Sequence, residues 1–264
     1  MTSESAVLYE VKDHIATLTL NRPDNRNSMT NDVLEGLARG VEPVRSDPEV
    51  RCLILTGRGR SFCAGADFKS QVQRDTGARP LLPNERSFAM YQPFLSVLDI
   101  EVPVVGALNG HAIGGGLGLA LVCDIRVANA EAKYGANFVR LGLHPGMATT
   151  YLLPRFVGLP RAAELLLTGR IITGSEAADL GLVNHAVAPD QVLPRAREIA
   201  EEIAGCAPIA VRWTKRSLYR QAQFDPRPAA FDEAALQSRT VETRDHREGV
   251  KALLDKRAPR FEGR

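Results

Sequence analysis

Two short stretches of this sequence put very small residues where a buried, strand-like run gives way to a helix: CAGAD at 63–67 and GHAIGGGLG at 110–118. A helix start leaves backbone N–H groups without partners and carries partial positive charge, so it can receive an anion or a developing oxyanion. Glycine and alanine let a ligand approach that backbone closely. A single turn of this kind is better accounted for by tight strand–helix packing. A pair could direct one N–H each at the same oxygen, which is how an enolate or tetrahedral oxyanion is stabilised. Other chemistries lack their residues. The five histidines, at 14, 111, 144, 185 and 246, never take the H-E-x-x-H spacing, and neither G-x-x-x-x-G-K-[ST], G-x-G-x-x-G nor G-x-S-x-G occurs. No metal and no tightly bound cofactor are expected.

The elements that must position these turns follow from hydrophobic patterning. IATLTL (15–20) and RCLILT (51–56) read as buried strands, and a helix is expected from Thr30, whose hydroxyl can cap it. The uncharged run VPVVGALNGHAIGGGLGLALVC (102–123) is long enough to suggest a membrane span, yet it contains six glycines, Pro103, Asn109 and His111. It reads instead as a strand over 103–108, a glycine turn and a buried helix. A helix over 85–98 precedes it, a polar surface loop over 70–84 precedes that, and CDIRVA (123–128) supplies another strand. Recurring strand, loop and helix predict an α/β fold with largely parallel pairing. Beyond Pro145 the pattern turns helical, with Pro160 at a first helical position, Thr173 and Glu176 at capping-box spacing, and helices over 194–204, 208–220, 231–243 and 245–257.

The chain has 264 residues, 24% charged and 44% hydrophobic, with a formal net charge of +2. That is ordinary globular composition, and with no basic run it gives no reason to expect a nucleic-acid partner. The four cysteines, at 52, 63, 123 and 206, form no C-x-x-C pair. Reduced thiols and a cytoplasmic location are the expectation, with no membrane association.

Six ordered blocks carry a family resemblance: LNRPDNRNSM (20–29), FCAGADF (62–68), PVVGALNGHAIGGGLGLALVCDIRVA (103–128), LGLHPG (141–146), LLTGRIITGSEAADLGLVN (166–184) and KRAPRF (256–261). Together they resemble the enoyl-CoA hydratase/isomerase, or crotonase, superfamily. The resemblance implies a crotonase-like spiral of ββα units with a C-terminal α-helical trimerisation region, giving an acyl-CoA-binding core over 1–204, an oligomerisation region over 205–264, and a homotrimer or dimer of trimers. It implies an acyl-CoA thioester as substrate, with coenzyme A present only as part of it. The thioester oxygen would lie between the backbone N–H groups of Ala66 and Gly115. Ala64, Gly65, Ala66 and Asp67 would hold the CoA moiety, with Lys69 and Arg26 toward its phosphates.

The resemblance also marks departures. Hydratases of the family use two glutamates, and here the matching positions are Gly118 and Phe138. A positioned acid or base is worth roughly 100- to 10,000-fold, so ordinary hydration is expected to be impaired. In the turn where other members place an acid, His144 is the titratable residue, either an acid/base or a turn histidine bonded to backbone. Tyr91, His111, Gly118, Asn137 and Phe138 are the candidate pocket positions, with Tyr91 and His111 better read as core residues, and Phe138 suggesting a bulky or aromatic acyl group. The expected function is an acyl-CoA-processing enzyme that stabilises a thioester enolate. The alternative is a non-catalytic acyl-CoA carrier that keeps the two turns and has lost the acid and base.

Overall fold

The computed structural model of the chain describes residues 4–67 and 82–263. β1 (Val7–Lys12) and β2 (Ile15–Leu20) form an antiparallel hairpin, after which α1 (Asn31–Ser46) leads to β3 (Cys52–Gly57) and the short β4 (Ser61–Cys63). α2 (Pro83–Leu95) precedes β5 (Val104–Leu108), β6 (His111–Ile113) and α3 (Gly115–Leu121), and β7 (Ile125–Asn129) and β8 (Lys133–Gly135) follow. Then come α4 (Thr149–Val157), α5 (Leu159–Thr168), β9 (Ile172–Thr173), α6 (Gly174–Asp179) and β10 (His185–Val187). Four helices close the chain: α7 (Val192–Ala204), α8 (Pro208–Gln221), α9 (Arg227–Val241) and α10 (Arg244–Leu254).

The strands make two sheets. The larger runs β1-β2-β3-β5-β7-β10, parallel from β2 onward, and the smaller runs β4-β6-β8-β9. Each pass of the chain adds one strand to each sheet and then turns away, as in β3-β4-α2 and β5-β6-α3, so the core is a spiral of ββα units. Parallel strands require such crossovers, and burial on both faces explains why β3 and β5 are apolar or small along their whole length. α1 lays Val33, Leu34, Leu37, Val41 and Val44 on one side of the large sheet, while α7 covers the other side with Val192, Ala196, Ile199 and Ala200.

Several expectations need correction. The run over 102–123 is β5, β6 and α3, so a three-residue strand stands inside the expected glycine turn. The Thr30 hydroxyl donates to the Asp32 carboxylate and does not cap α1; Asp32 itself accepts from the Val33 N–H at 3.0 Å. The expected helix over 85–98 ends as α2 at Leu95 and continues as a 3-10 turn over Ser96–Asp99. Residues 83 and 84 of the expected polar loop open α2, and 70–81 lie outside the described residues. The chain beyond Pro145 is helical apart from the short β9 and β10. The Thr173–Glu176 capping box forms as expected, with Glu176 N–H donating to Thr173 Oγ1 at 3.2 Å and Thr173 N–H to Glu176 Oε2 at 2.8 Å.

Candidate active site

The two glycine turns come together because β4 and β6 are parallel neighbours in the small sheet and each ends in one of them. The contact is main chain on main chain. A Cβ added at Gly65 (φ 81°) would lie 2.5 Å from the Ile113 carbonyl oxygen and 3.3 Å from the Gly115 nitrogen, and one added at Gly116 would overlap the Cys63 carbonyl. Glycine is required at 65 by conformation and at 116 by approach. Gly114 takes φ 57° and donates to the Gly135 carbonyl at 2.8 Å, while its own carbonyl accepts from Leu117 and Gly118. Among the described residues no hydrogen bond engages the N–H of Ala66 or of Gly115. Ala66 is exposed.

A third turn braces the first. Met29 N–H donates to the Gly65 carbonyl at 2.9 Å, and Ala64 N–H donates to the Arg26 carbonyl at 3.1 Å. Arg26 and Asn27 have positive φ, and the fully buried Asn27 side chain fixes them: it accepts from Arg22 N–H at 2.8 Å and donates to the carbonyls of Arg58 and Ser61. Asn27 was not among the expected site residues, although it lies in the LNRPDNRNSM block. The Arg26 side chain is exposed, and Asp67 is half-buried; Lys69 lies outside the described residues.

The expected pocket side chains divide into two groups. Asn137 and Phe138 face the second turn, with Asn137 Oδ1 and Phe138 Cζ at 3.7 and 3.8 Å from a Cβ built on Gly114. Gly118 is buried against Met147. Tyr91 is buried and donates from its hydroxyl to Gln237 Oε1 at 2.5 Å, and a Cβ built on Gly146 would overlap that hydroxyl. His111 points elsewhere. Its Nδ1 accepts from Lys133 N–H at 3.0 Å, and burial, helped by the charges of Lys133 and Arg26, holds its pKa below the usual imidazole range. His144 Nδ1 lies 2.7 Å from the Pro145 carbonyl, and the residue lines an apolar cavity of about 510 Å³ with Leu143, Leu159, Leu166 and Thr240. None of its hydrogen bonds reaches either glycine turn.

Behind Gly146 and Met147 stands a polar face of α9 that sequence reading passed over. Thr240 Oγ1 accepts from His144 N–H at 3.0 Å, Gln237 Nε2 donates to the His144 carbonyl at 2.9 Å, and Glu233 Oε1 accepts from Thr150 N–H at 2.8 Å and from the Thr150 hydroxyl. Its other oxygen, Oε2, is buried without a hydrogen-bond partner among the described residues. Burial pushes that carboxyl up to about 7. The signal was available, since Glu233 sits on the buried stripe of α9 between Ala230 and Ala234. Cys63, at the foot of the first turn, is no nucleophile, as burial pushes its thiol up to about 12.

A family model described as enoyl-CoA hydratase/isomerase matches residues 10–264. The chain belongs to the enoyl-CoA hydratase/isomerase family. Among relatives in this family, the (E)-benzylidenesuccinyl-CoA hydratase of Thauera aromatica is 36% identical over 97% of this chain and 99% of its own. The crotonyl-CoA hydratase of Syntrophomonas wolfei is also 36% identical, over 97% of both chains. The crystal structure of an enoyl-CoA hydratase/isomerase from Pseudoalteromonas atlantica superposes with a TM-score of 0.87 at 30% identity, covering 97% of this chain and all of that one. The protein is thus an enzyme of the crotonase superfamily. Among the described residues of this enoyl-CoA hydratase/isomerase family member, no helix is long and apolar enough to cross a membrane.

Proposed function

We propose that the protein acts on an acyl-CoA thioester whose carbonyl oxygen lies between the N–H groups of Ala66 and Gly115. The observation that carries the reading is the abutment of the two turns, main chain on main chain at Gly65 and Gly116, with both N–H groups free of other acceptors among the described residues. When a proton leaves the α-carbon or a group adds at the β-carbon, negative charge moves to that oxygen. Two preorganised donors then stabilise the enolate more than the ground state, and removing one such donor typically costs about 3 kcal/mol in the barrier. Ala64 to Asp67 carry the CoA moiety, with Arg26 and Lys69 toward its phosphates. Coenzyme A is part of the substrate, with no further cofactor. The chain works in the cytoplasm as a homotrimer or dimer of trimers assembled through 205–264.

Ordinary hydration is not the favoured reaction. Gly118 and Phe138 supply no carboxylate where the family resemblance places two, so water has neither of the usual groups to activate it. His144 is the acid or base on the loop that follows. Phe138 makes this wall apolar, which favours a bulky or aromatic acyl group; a relative named for benzylidenesuccinyl-CoA, whose acyl group bears a phenyl ring, supports that reading.

The test is to mix the protein with trans-2-enoyl-CoAs of several chain lengths, following the conjugated enoyl absorbance, thioester binding by calorimetry and product masses. Tight binding without formation of the 3-hydroxyacyl-CoA is expected, any loss of absorbance being traced by mass to a different product. Fast hydration, near about 10 per second, would overturn the doubt over hydration. Retention of every thioester unchanged would instead establish the carrier, the reading favoured by the missing carboxylates alone.

A further inference from the structure

Met147 is a non-glycine residue in the left-handed region, φ 64°, followed by Ala148 at φ 56°, and both are buried. A bulky side chain adopts that conformation only where its surroundings over-determine it. Here they do. Glu233, Gln237 and Thr240, spaced four and three residues apart on one face of α9, grip the main chain on both sides of Met147: the His144 N–H and carbonyl before it, and the Thr150 N–H and hydroxyl after it. Gly146 is pinned as well, because a Cβ there would overlap the Tyr91 hydroxyl and stand 2.8 Å from Gln237 Nε2.

Held this way, the Met147 side chain goes to the glycine turn. A Cβ at Gly118 would overlap the Met147 Cβ and stand 3.1 Å from its Cγ, and the same Cγ is 3.8 Å from a Cβ built on Gly115. The methionine therefore occupies the volume into which any side chain at 118 would project, and its Cγ reaches toward Gly115, whose N–H is proposed to hold the thioester oxygen. An acyl group held at that N–H and extending toward Gly118 meets this side chain in its first carbons.

We propose that Met147 is a specificity-determining residue, a thioether stop whose side chain sets how bulky the acyl group can be at the carbons nearest the thioester. The inference rests on the reading of the site as an acyl-CoA site. It assigns the polar face of α9 a positioning role, because that face directs Met147 at Gly118. Methionine suits a stop that must fit closely yet yield a little, being unbranched and adaptable.

The experiment measures calorimetric Kd values for free CoA, acetyl-CoA, 2-methylpropanoyl-CoA and benzoyl-CoA with the wild type, Met147→Gly, Met147→Ala and Met147→Leu. Glycine fits φ 64° without strain, so Met147→Gly keeps the loop foldable even if the alanine variant does not. Shortening the side chain is expected to tighten the branched and aromatic thioesters by about tenfold or more relative to acetyl-CoA, leaving free CoA unchanged, while Met147→Leu keeps the wild-type order. If the wild type binds thioesters and the shortened variants keep its acyl order, the stop is overturned and the acyl-CoA reading stands. If the wild type binds no thioester, the acyl-CoA reading falls and the inference falls with it.

Discussion

Gly118→Ala places a methyl group onto the Met147 Cβ in a buried site, and overpacking of this kind typically costs 1–3 kcal/mol. The expected result is a lowered thermal midpoint for Gly118→Ala, most of which returns in the Gly118→Ala, Met147→Gly pair, because only glycine removes that Cβ; simple additivity of the two would show that the contact is not the cause. Glu233 predicts a pH effect. Its folded pKa, about 7, is raised above the usual carboxylate value, so the native state binds the proton more tightly than the unfolded chain. The stability this contributes is fully present below the unfolded pKa and is lost as pH rises through about 7, a span worth roughly 3 kcal/mol. Glu233→Gln should therefore gain on the wild type between pH 5 and pH 8 in denaturant titrations; parallel curves would show that the carboxyl does not titrate in that window. Thiol labelling of the native protein should mark Cys206, which is exposed, far faster than Cys52, Cys63 or Cys123, each pushed up to about 12 by burial. At this scale the sequence disclosed the main-chain half of the site, because small residues in a turn advertise close approach. It did not disclose Met147 or Glu233, whose roles depend on which segments the fold brings together.

Among the elements, α8 depends on polar contacts more than most, since none of its residues is buried in the chain. Asp124, at the start of β7, accepts from Val104 N–H at 2.6 Å, from the Tyr219 hydroxyl and from Lys215 Nζ at 2.8 Å, with both members of the ion pair only 14% exposed. Removing one partner of such a pair leaves the other desolvated and unpaired, so Asp124→Ala should cost about 3 kcal/mol and speed hydrogen exchange in α8 before the sheet. Equal exchange in wild type and variant would mean that α8 is held otherwise. β2, β3 and β5 were legible from their apolar runs, and the helices from periodicity and capping residues. β4, β6 and β8 were not, because three residues are too few for alternation to show, and they are the strands that carry the site turns and the Asn137–Phe138 wall.

For the whole molecule, the C-terminal helices leave Ile209, Trp213 and Leu218 more than 60% exposed, with Phe231, Leu253 and Leu254 about half exposed. Large apolar side chains so concentrated fit an interface between copies, and light scattering should return a mass near three or six times 28.7 kDa; a mass of one chain would overturn the assembly. The spiral architecture was anticipated through the six sequence blocks taken together, since hydrophobic patterning alone gives parallel α/β pairing without its handedness or the second sheet. One feature of that spiral bears on how such a protein can change over generations. The proposed oxygen-binding donors belong to the peptide backbone, and the fit of Gly116 on the Cys63 carbonyl leaves no room for any side chain there. Point mutation can erase that half by breaking the fold but has little means of adjusting it. Substitutions that change the chemistry without breaking the fold are thereby channelled to the facing loop and to α9, leaving the proposed donors where they are.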